Sequence, residues 1–83
     1  MNVITLDCNG IADKKQLHQA LYEALALPEW YGHNLDALFD CLTECDLLHL
    51  KLLNWKMLAD WRIGFESVFQ DAAAENDSFT FEI

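Results

Sequence analysis

The chain contains few of the residues that mark disordered or fibrous proteins. Its 83 residues include only 3 glycines and 1 proline. Apolar residues make up 53% of the sequence and aromatic residues 12%, so a core can form without a metal or disulfide staple. At this length, folding buries roughly 60% of the surface that an unfolded chain exposes. We therefore expect one domain over residues 1–83.

Basic residues are also scarce. Lysine and arginine total 5 against 14 aspartates and glutamates, which gives a net charge of −9. This imbalance argues against direct binding to nucleic acid or to an anionic membrane and favours a cationic partner. No lysine or arginine lies between Gln16 and Leu50. That segment nevertheless carries Glu23, Glu29, Asp36, Asp40, Glu44 and Asp46.

Long apolar runs and paired cysteines are missing as well. No run of about 18 apolar residues occurs, and no basic start precedes an apolar segment, so the sequence predicts neither a membrane span nor a signal peptide. The sequence has an odd number of cysteines, Cys8, Cys41 and Cys45, and no CxxC pair. We expect reduced thiols that pack as small hydrophobic side chains, and a cytoplasmic location.

Hydrophobic periodicity predicts alternating strands and helices. Helical connections between strands favour a parallel sheet. The predicted fold class is therefore α/β, a two-layer arrangement of a three-stranded parallel sheet against about four helices. The predicted strands cover residues 2–6, 47–53 and 79–83. The first two predicted helices run from Asp13 to before Pro28 and from Asn34 to Thr43 or Glu44. The other two cover residues 55–61 and, after an interruption at Gly64, residues 65–75.

The second helix has two chemically different sides. Leu35, Leu38, Cys41 and Leu42 form its apolar stripe, with Phe39 at the seam. On the other side lie Asp36, Asp40 and Thr43, at positions i, i+4 and i+7. Two aspartates at this spacing repel each other, so helix stability does not explain them.

The loop before this helix, residues 28–33, places Trp30 and Tyr31 beside a glycine. Large aromatic side chains next to charge are typical of protein-binding surfaces. Two other interpretations stay open: the aromatic rings cover one end of the core, and the carboxylates only keep the helix face solvated.

Three other functions are compatible with parts of the pattern. Asp36 and Asp40 could act as an acid/base pair in glycoside hydrolysis, although one helix surface does not form a cleft. Cys41, Cys45 and His49 are spaced by four, as metal ligands on a continuous helix would be, although a strand is predicted from residue 47. A general adaptor for a basic protein is the third alternative.

The segment LALPEWYGHNLDALFDCLT, residues 25–43, resembles the signature segment of the barstar family, intracellular inhibitors of barnase-type ribonucleases. The resemblance is looser around residues 17–19 and over residues 65–81. It implies the small α/β barstar fold throughout. It also implies a protein that blocks the active site of a basic, secreted-type ribonuclease, performs no catalysis, and needs no cofactor or metal. We expect the free protein to be monomeric.

The resemblance also assigns roles to individual residues. Asp40 would replace a substrate phosphate in the enzyme, where it would meet cationic donors, and Asp36 would pair with a neighbouring cation. The loop contacts implied are Trp30, Tyr31, Gly32 and Asn34; Phe39 and Thr43 would border the interface, and Asp71 is an acidic contact on the last helix.

The chain departs from the barstar pattern at three positions beside this surface. Phe39 and Cys45 replace tryptophans, and Glu44 replaces a glycine.

Two histidines, His18 and His33, precede the acidic helix. His18 is interpreted as a packed or surface histidine, whereas protonation of His33 in the binding loop would weaken the negative field at acid pH.

Overall fold

The computed structural model describes residues 2–83, which form a parallel sheet with helices on one face. Every strand pairs in parallel, and the central strand is the second in sequence. This confirms the predicted α/β class and the three-stranded parallel sheet. The elements are β1 (Asn2–Asp7), α1 (Lys14–Ala24), α2 (Leu35–Glu44), β2 (Leu48–Leu53), a 3₁₀ turn (Trp55–Met57), α3 (Arg62–Glu75) and β3 (Phe79–Glu82).

The alternation of side chains along β2 determines which face of the sheet is covered. Leu48, Leu50 and Leu52 are buried under the helices, while Lys51 and Leu53 point to the open face. The paired positions of the outer strands follow the same alternation. Parallel sheets are usually covered on both faces. In this two-layer arrangement, by contrast, one face of the sheet is open to solvent.

The helix count differs from the prediction. Residues 2–83 contain three α-helices, and the predicted helix over 55–61 is only the 3₁₀ turn Trp55–Met57. Asn54 enters this turn in the left-handed conformation, and Leu58 leaves it in an extended one. Trp55 and Leu58 are both buried, because three residues complete one turn of a 3₁₀ helix and bring both side chains to the core side.

Gly64 does not interrupt the third helix. It lies within α3, where an added Cβ would come within 3.0 Å of Leu35 Cδ1 on α2. The absence of a side chain thus lets α3 pack closely against α2. Close packing against Leu35 explains this glycine, and the predicted interruption of the helix at Gly64 is wrong.

Asn76, just after α3, ties the C-terminal end of α2 to the start of β3. Its Nδ2 donates to the carbonyl oxygens of Leu42 and Cys45, each at 2.9 Å. Its Oδ1 accepts from the Ser78 N–H at 3.0 Å. Helix C-termini carry carbonyl groups that lack partners within the helix, and this side chain satisfies two of them around the end of α2.

Replacing Asn76 by alanine should therefore lower the free energy of unfolding by about 1–3 kcal/mol, because partly buried acceptors lose their donor. Urea titration would measure the loss. Asp77→Ala, an exposed change in the same turn, should stay within about 0.5 kcal/mol of the parent. Equal losses in the two variants would show that Asn76 does not tie these segments together.

Candidate protein-binding site

The exposed side of α2 is acidic. Asp36 and Asp40 lie one helical turn apart and are both exposed, and Glu44 continues the row by another turn. Leu38 and Leu42 are buried on the other side, as the periodicity predicts. The helix therefore presents three carboxylates to solvent from a surface that the core holds in place.

The carboxylates of Asp36 and Asp40 have no cationic partner in the part of the chain that the structure describes. Within residues 2–83, ion pairs join His49 or Lys51 to Glu82, and Arg62 to Asp60 or Glu66. None includes a residue of α2. Thr43 is half-buried, and its hydroxyl donates to the backbone carbonyl of Asp40 at 3.0 Å, so it leaves the Asp40 carboxylate free.

The loop 28–33 places Trp30 beside this helix. The Tyr31 N–H donates to the Pro28 carbonyl at 2.9 Å, which closes a turn, and Trp30 projects with 59% of its surface exposed. A groove of about 250 Å³ is lined by Trp30 together with Cys41 and Glu44 of α2. A large aromatic side chain and a row of carboxylates thus lie on adjoining surfaces.

Tyr31 occupies a different position from the one expected of a partner contact. It is only 4% exposed, and its ring stacks on Tyr22 with 6.2 Å between centroids. Burial raises the pKa of its hydroxyl, which lies 2.5 Å from His18 Nδ1. For Tyr31 the alternative interpretation is correct, because its ring covers an end of the core. The buried ring thereby anchors the loop to the core.

Gly32 and Asn34 form the junction between loop and helix. Asn34 Oδ1 accepts from the Ala37 N–H at 2.8 Å, which caps α2 as predicted. The Asn34 Nδ2 donates to the Gly32 carbonyl at 3.3 Å. A Cβ on Gly32 would lie 2.8 Å from this Nδ2, so any other residue here would have to displace the Asn34 side chain that caps α2.

His33 connects the loop to α1. It has the left-handed backbone conformation, with φ of +53°. Its Nε2 lies 3.0 Å from Gln19 Oε1, and its Nδ1 lies 3.3 Å from the Tyr31 carbonyl. The sequence placed His33 in the loop but gave no sign of the contact with Gln19, because 14 residues separate the two positions.

Of the remaining predicted site residues, Phe39 belongs to α2 and Asp71 to α3. Phe39 is half-buried against the core, and Cys45 is half-buried with its thiol donating to the Leu42 carbonyl at 3.2 Å. Asp71 is exposed on α3, which packs against α2. Burial raises the pKa of the Cys41 and Cys45 thiols, and that of the Cys8 thiol to about 11, which suits their interpretation as packing groups.

The spacing of Cys41, Cys45 and His49 does not create a metal site. Cys45 ends α2, whereas His49 lies in β2, where its Nδ1 pairs with the Thr80 hydroxyl at 2.7 Å. Across residues 2–83, no three His, Cys, Asp or Glu side chains converge as metal ligands would. In the same part of the chain, no helix is long and apolar enough to cross a membrane.

The comparison with protein families agrees with this architecture. The family model described as "Barstar (barnase inhibitor)" matches residues 1–83. The chain belongs to the barstar family. It is also similar to a Bacillus subtilis (strain 168) protein named "Putative ribonuclease inhibitor YrdF", with 44% identity over 43 residues. That alignment covers 52% of this chain and 47% of the relative, so it spans about half the length of the relative.

The pair of His18 and Tyr31 under the loop makes stability depend on pH. Burial, together with the nearby charges of His33 and Lys14, lowers the pKa of His18 from 6.5 to about 4. The unfolded chain therefore binds a proton below pH 6.5, while the folded chain does so only below about pH 4. This contribution to stability is complete above pH 6.5 and is lost as the pH falls toward 4.

We expect the free energy of unfolding to fall by about 1–2 kcal/mol more in the parent than in His18→Gln between pH 7 and pH 5. The carboxylates titrate alike in both proteins, so the difference between their two losses of unfolding free energy reports on His18 alone. Urea titrations at both pH values would measure it. Parallel pH profiles would mean that His18 is not held neutral by the fold.

Proposed function

We propose that this protein inhibits a basic, barnase-type ribonuclease by covering its active site with α2 and the loop 28–33. Membership of the barstar family supports the class of partner. The similarity to the Bacillus subtilis protein named "Putative ribonuclease inhibitor YrdF" supports the same role. The protein would act in the compartment where the enzyme is made, and it would perform no catalysis itself.

The exposure of Asp36 and Asp40, which have no cationic partner among residues 2–83, carries this proposal. A carboxylate already paired inside the protein would have to break that pair before it could bind elsewhere. Here the ion pairs found in residues 2–83 involve other carboxylates. Asp36 and Asp40 are thus free to meet arginine, lysine or protonated histidine donors on a partner.

In the proposed complex, Asp40 takes the place of an RNA phosphate in the enzyme. Its carboxylate would accept charge-assisted hydrogen bonds from the cationic groups that otherwise bind substrate. Asp36, one turn earlier, would pair with a second cation. Competition follows directly, because RNA and the helix cannot occupy the same cationic pocket.

The loop would supply the contacts around this charged centre. Trp30 is the exposed aromatic anchor, and its burial on binding would contribute to the lifetime of the complex. Gly32 and Asn34 would contribute backbone and amide contacts, with Phe39 and Thr43 at the margin. Tyr31 would act indirectly by supporting the loop, and Asp71 would be a peripheral acidic contact.

The fixed geometry of α2 would favour tight binding. The Asn34 cap and the two bonds from Asn76 constrain both ends of the helix before a partner arrives. Binding therefore orders few additional backbone groups. A smaller ordering cost leaves more of the interaction free energy as affinity.

A partner other than barnase itself is a second candidate, and Glu44 supports it. This residue is exposed and adds a third carboxylate to the row that begins at Asp36. It also borders the groove next to Trp30. An enzyme with an additional cation at the corresponding place, or another basic nuclease toxin, would suit this surface better.

Asp40→Asn should weaken inhibition of a basic barnase-type ribonuclease by at least about 30-fold, since a buried charge pair across an interface loses one member. RNA cleavage assays at increasing inhibitor concentration would measure the inhibition constant. Glu82→Gln is the matched control, because it removes the same charge from the open face of the sheet. Its inhibition constant should stay close to that of the parent.

If Asp40→Asn and Glu82→Gln inhibit equally well, α2 is not the inhibitory surface. If the parent itself leaves RNA cleavage by basic barnase-type ribonucleases unchanged, the proposed function is wrong. Thermal unfolding of each variant would confirm that a lost effect comes from the surface and not from the fold.

Association with the enzyme should slow by about tenfold or more between 50 mM and 500 mM salt, while dissociation changes much less. Opposite surface charges attract over about 8 Å at physiological ionic strength, and added salt shortens that range. Stopped-flow fluorescence would measure both rates. The double variant Asp36→Asn/Asp40→Asn should show a flatter salt dependence; an identical slope would mean that other charges steer the encounter.

A further inference from the structure

A cavity of about 500 Å³ opens beside the loop, where α1, α2 and α3 begin. Its size falls within the range of small-molecule sites. Its walls are formed mainly by Trp61 and Phe65 of the α3 region, Leu35 of α2, and Lys14, Lys15 and His18 of α1. The acidic residues of α2 do not contribute to this wall, so the cavity differs from the proposed ribonuclease-binding surface in both shape and charge.

The inner wall of the cavity is aromatic. Phe65 is buried at 1% exposure, and the Trp61 ring meets it edge to face with 5.8 Å between centroids. Leu35 adds an aliphatic side. A flat apolar ring in this space would replace water against aromatic and aliphatic carbon, the favourable exchange for such groups.

His18 offers an unused polar atom at the same place. The residue is 5% exposed, and its Nδ1 pairs with the Tyr31 hydroxyl. The Nε2 has no protein partner within residues 2–83, and it is not among the fully enclosed atoms, so the cavity is where it meets its surroundings. A polar atom that belongs to a buried side chain and lacks a protein partner at a cavity wall is a natural contact for a ligand.

The Tyr31 hydroxyl determines which hydrogen-bonding role the Nε2 plays. Its hydrogen has no acceptor in the described chain other than His18 Nδ1, so the hydroxyl donates to Nδ1. A neutral imidazole that accepts at Nδ1 carries its hydrogen at Nε2. The cavity wall therefore presents a hydrogen-bond donor, which requires an acceptor on the ligand.

Two lysines add positive charge at the mouth of the cavity. Lys14 and Lys15 are exposed in the first turn of α1, and the ion pairs of residues 2–83 include neither of them. Asp13 precedes them; its Oδ1 accepts the Gln16 N–H at 2.8 Å, and the residue does not line the cavity. Two ammonium groups and an N–H donor beside an apolar wall select for a ligand that is both anionic and apolar.

We propose that this cavity binds a small aromatic carboxylate, with its ring against Trp61 and Phe65 and its carboxylate facing Lys14, Lys15 and the Nε2–H of His18. The carboxylate supplies the acceptor that these donors lack, and the ring fills the apolar part. His33 and Asn34 of the loop border the same cavity, so a bound ligand would lie next to the residues that position α2.

Phenylacetate is the probe and phenylacetamide its neutral counterpart of almost the same shape. NMR titration of the ¹⁵N- and ¹³C-labelled protein should show saturable shifts at His18 and Trp61 with phenylacetate, with a Kd of about 1 mM or tighter. Phenylacetamide should bind at least tenfold more weakly. Inorganic phosphate, an anion without a ring, should also bind at least tenfold more weakly.

Charge variants separate the site from the general surface. Lys14→Gln/Lys15→Gln should raise the Kd for phenylacetate at least tenfold, whereas Lys56→Gln, an exposed change in the 3₁₀ turn, should leave it unchanged. Both lysines of the pair are exposed, so the variant should fold normally, which its amide spectrum would verify.

Four results would overturn the proposal. Shifts at His18 and Trp61 that fail to saturate by about 10 mM phenylacetate would show that no site exists at the expected strength. Equal binding of phenylacetate and phenylacetamide would show that the cavity does not select for a negative charge. Equal binding of inorganic phosphate would show that it does not select for an aromatic ring. An unchanged Kd in the double lysine variant would place the ligand elsewhere. None of these results depends on ribonuclease inhibition.

Discussion

The attachment of α2 at both ends is the constraint on which the proposed function depends. Asn34 caps its first turn, and Asn76 holds the carbonyl groups around its last turn from the far end of α3. Between these two points, Gly64 lets α3 approach Leu35 closely. The repulsion between Asp36 and Asp40 works against the helix by only a few tenths of a kcal/mol. Caps and packing contribute more than that, so the helix can carry unpaired charge.

The loop 28–33 is also held in place by contacts with its neighbours, α1 and the start of α2. Tyr31 lies underneath it and His33 connects it to α1, while Asn34 belongs to both the loop and the helix cap. Its outer surface can then offer Trp30 to solvent at little cost, because other residues hold the backbone. This division of roles between two adjacent aromatic residues explains why one is 59% exposed and the other 4%.

Local signals in the sequence predicted most of the fold correctly. The Asp13 and Asn34 caps and the hydrophobic stripe of α2 depend on neighbours within one or two turns, and the structure confirms them. The failures arose where distant residues decide. Gly64 lies inside α3, where Leu35 packs against it, and a 3₁₀ turn with Trp55 and Leu58 buried replaces the predicted helix over 55–61.

The same limit applies to the site. The acidic face could be predicted because its residues follow one another on a single helix. The burial of Tyr31 could not be predicted from composition, since tyrosine suits both a core edge and an exposed surface. The pairing of His18 with Tyr31 and of His33 with Gln19 joins residues 13 and 14 positions apart, and the cavity requires three helices to meet. Such features follow from topology and leave no periodic trace in a sequence.

Charge is distributed unevenly across the loop, and this has a consequence for recognition. On one side α2 carries carboxylates without lysine or arginine; on the other, Lys14 and Lys15 form a positive edge within a chain of net charge −9. In the proposed complex, the total charge would attract a basic enzyme at a distance, but close to the surface the lysines would repel it and α2 would attract it. The resulting torque would turn the enzyme toward the acidic face. The two lysines would thus favour the correct orientation of the encounter without touching the partner, and specificity would come from repulsion as well as attraction.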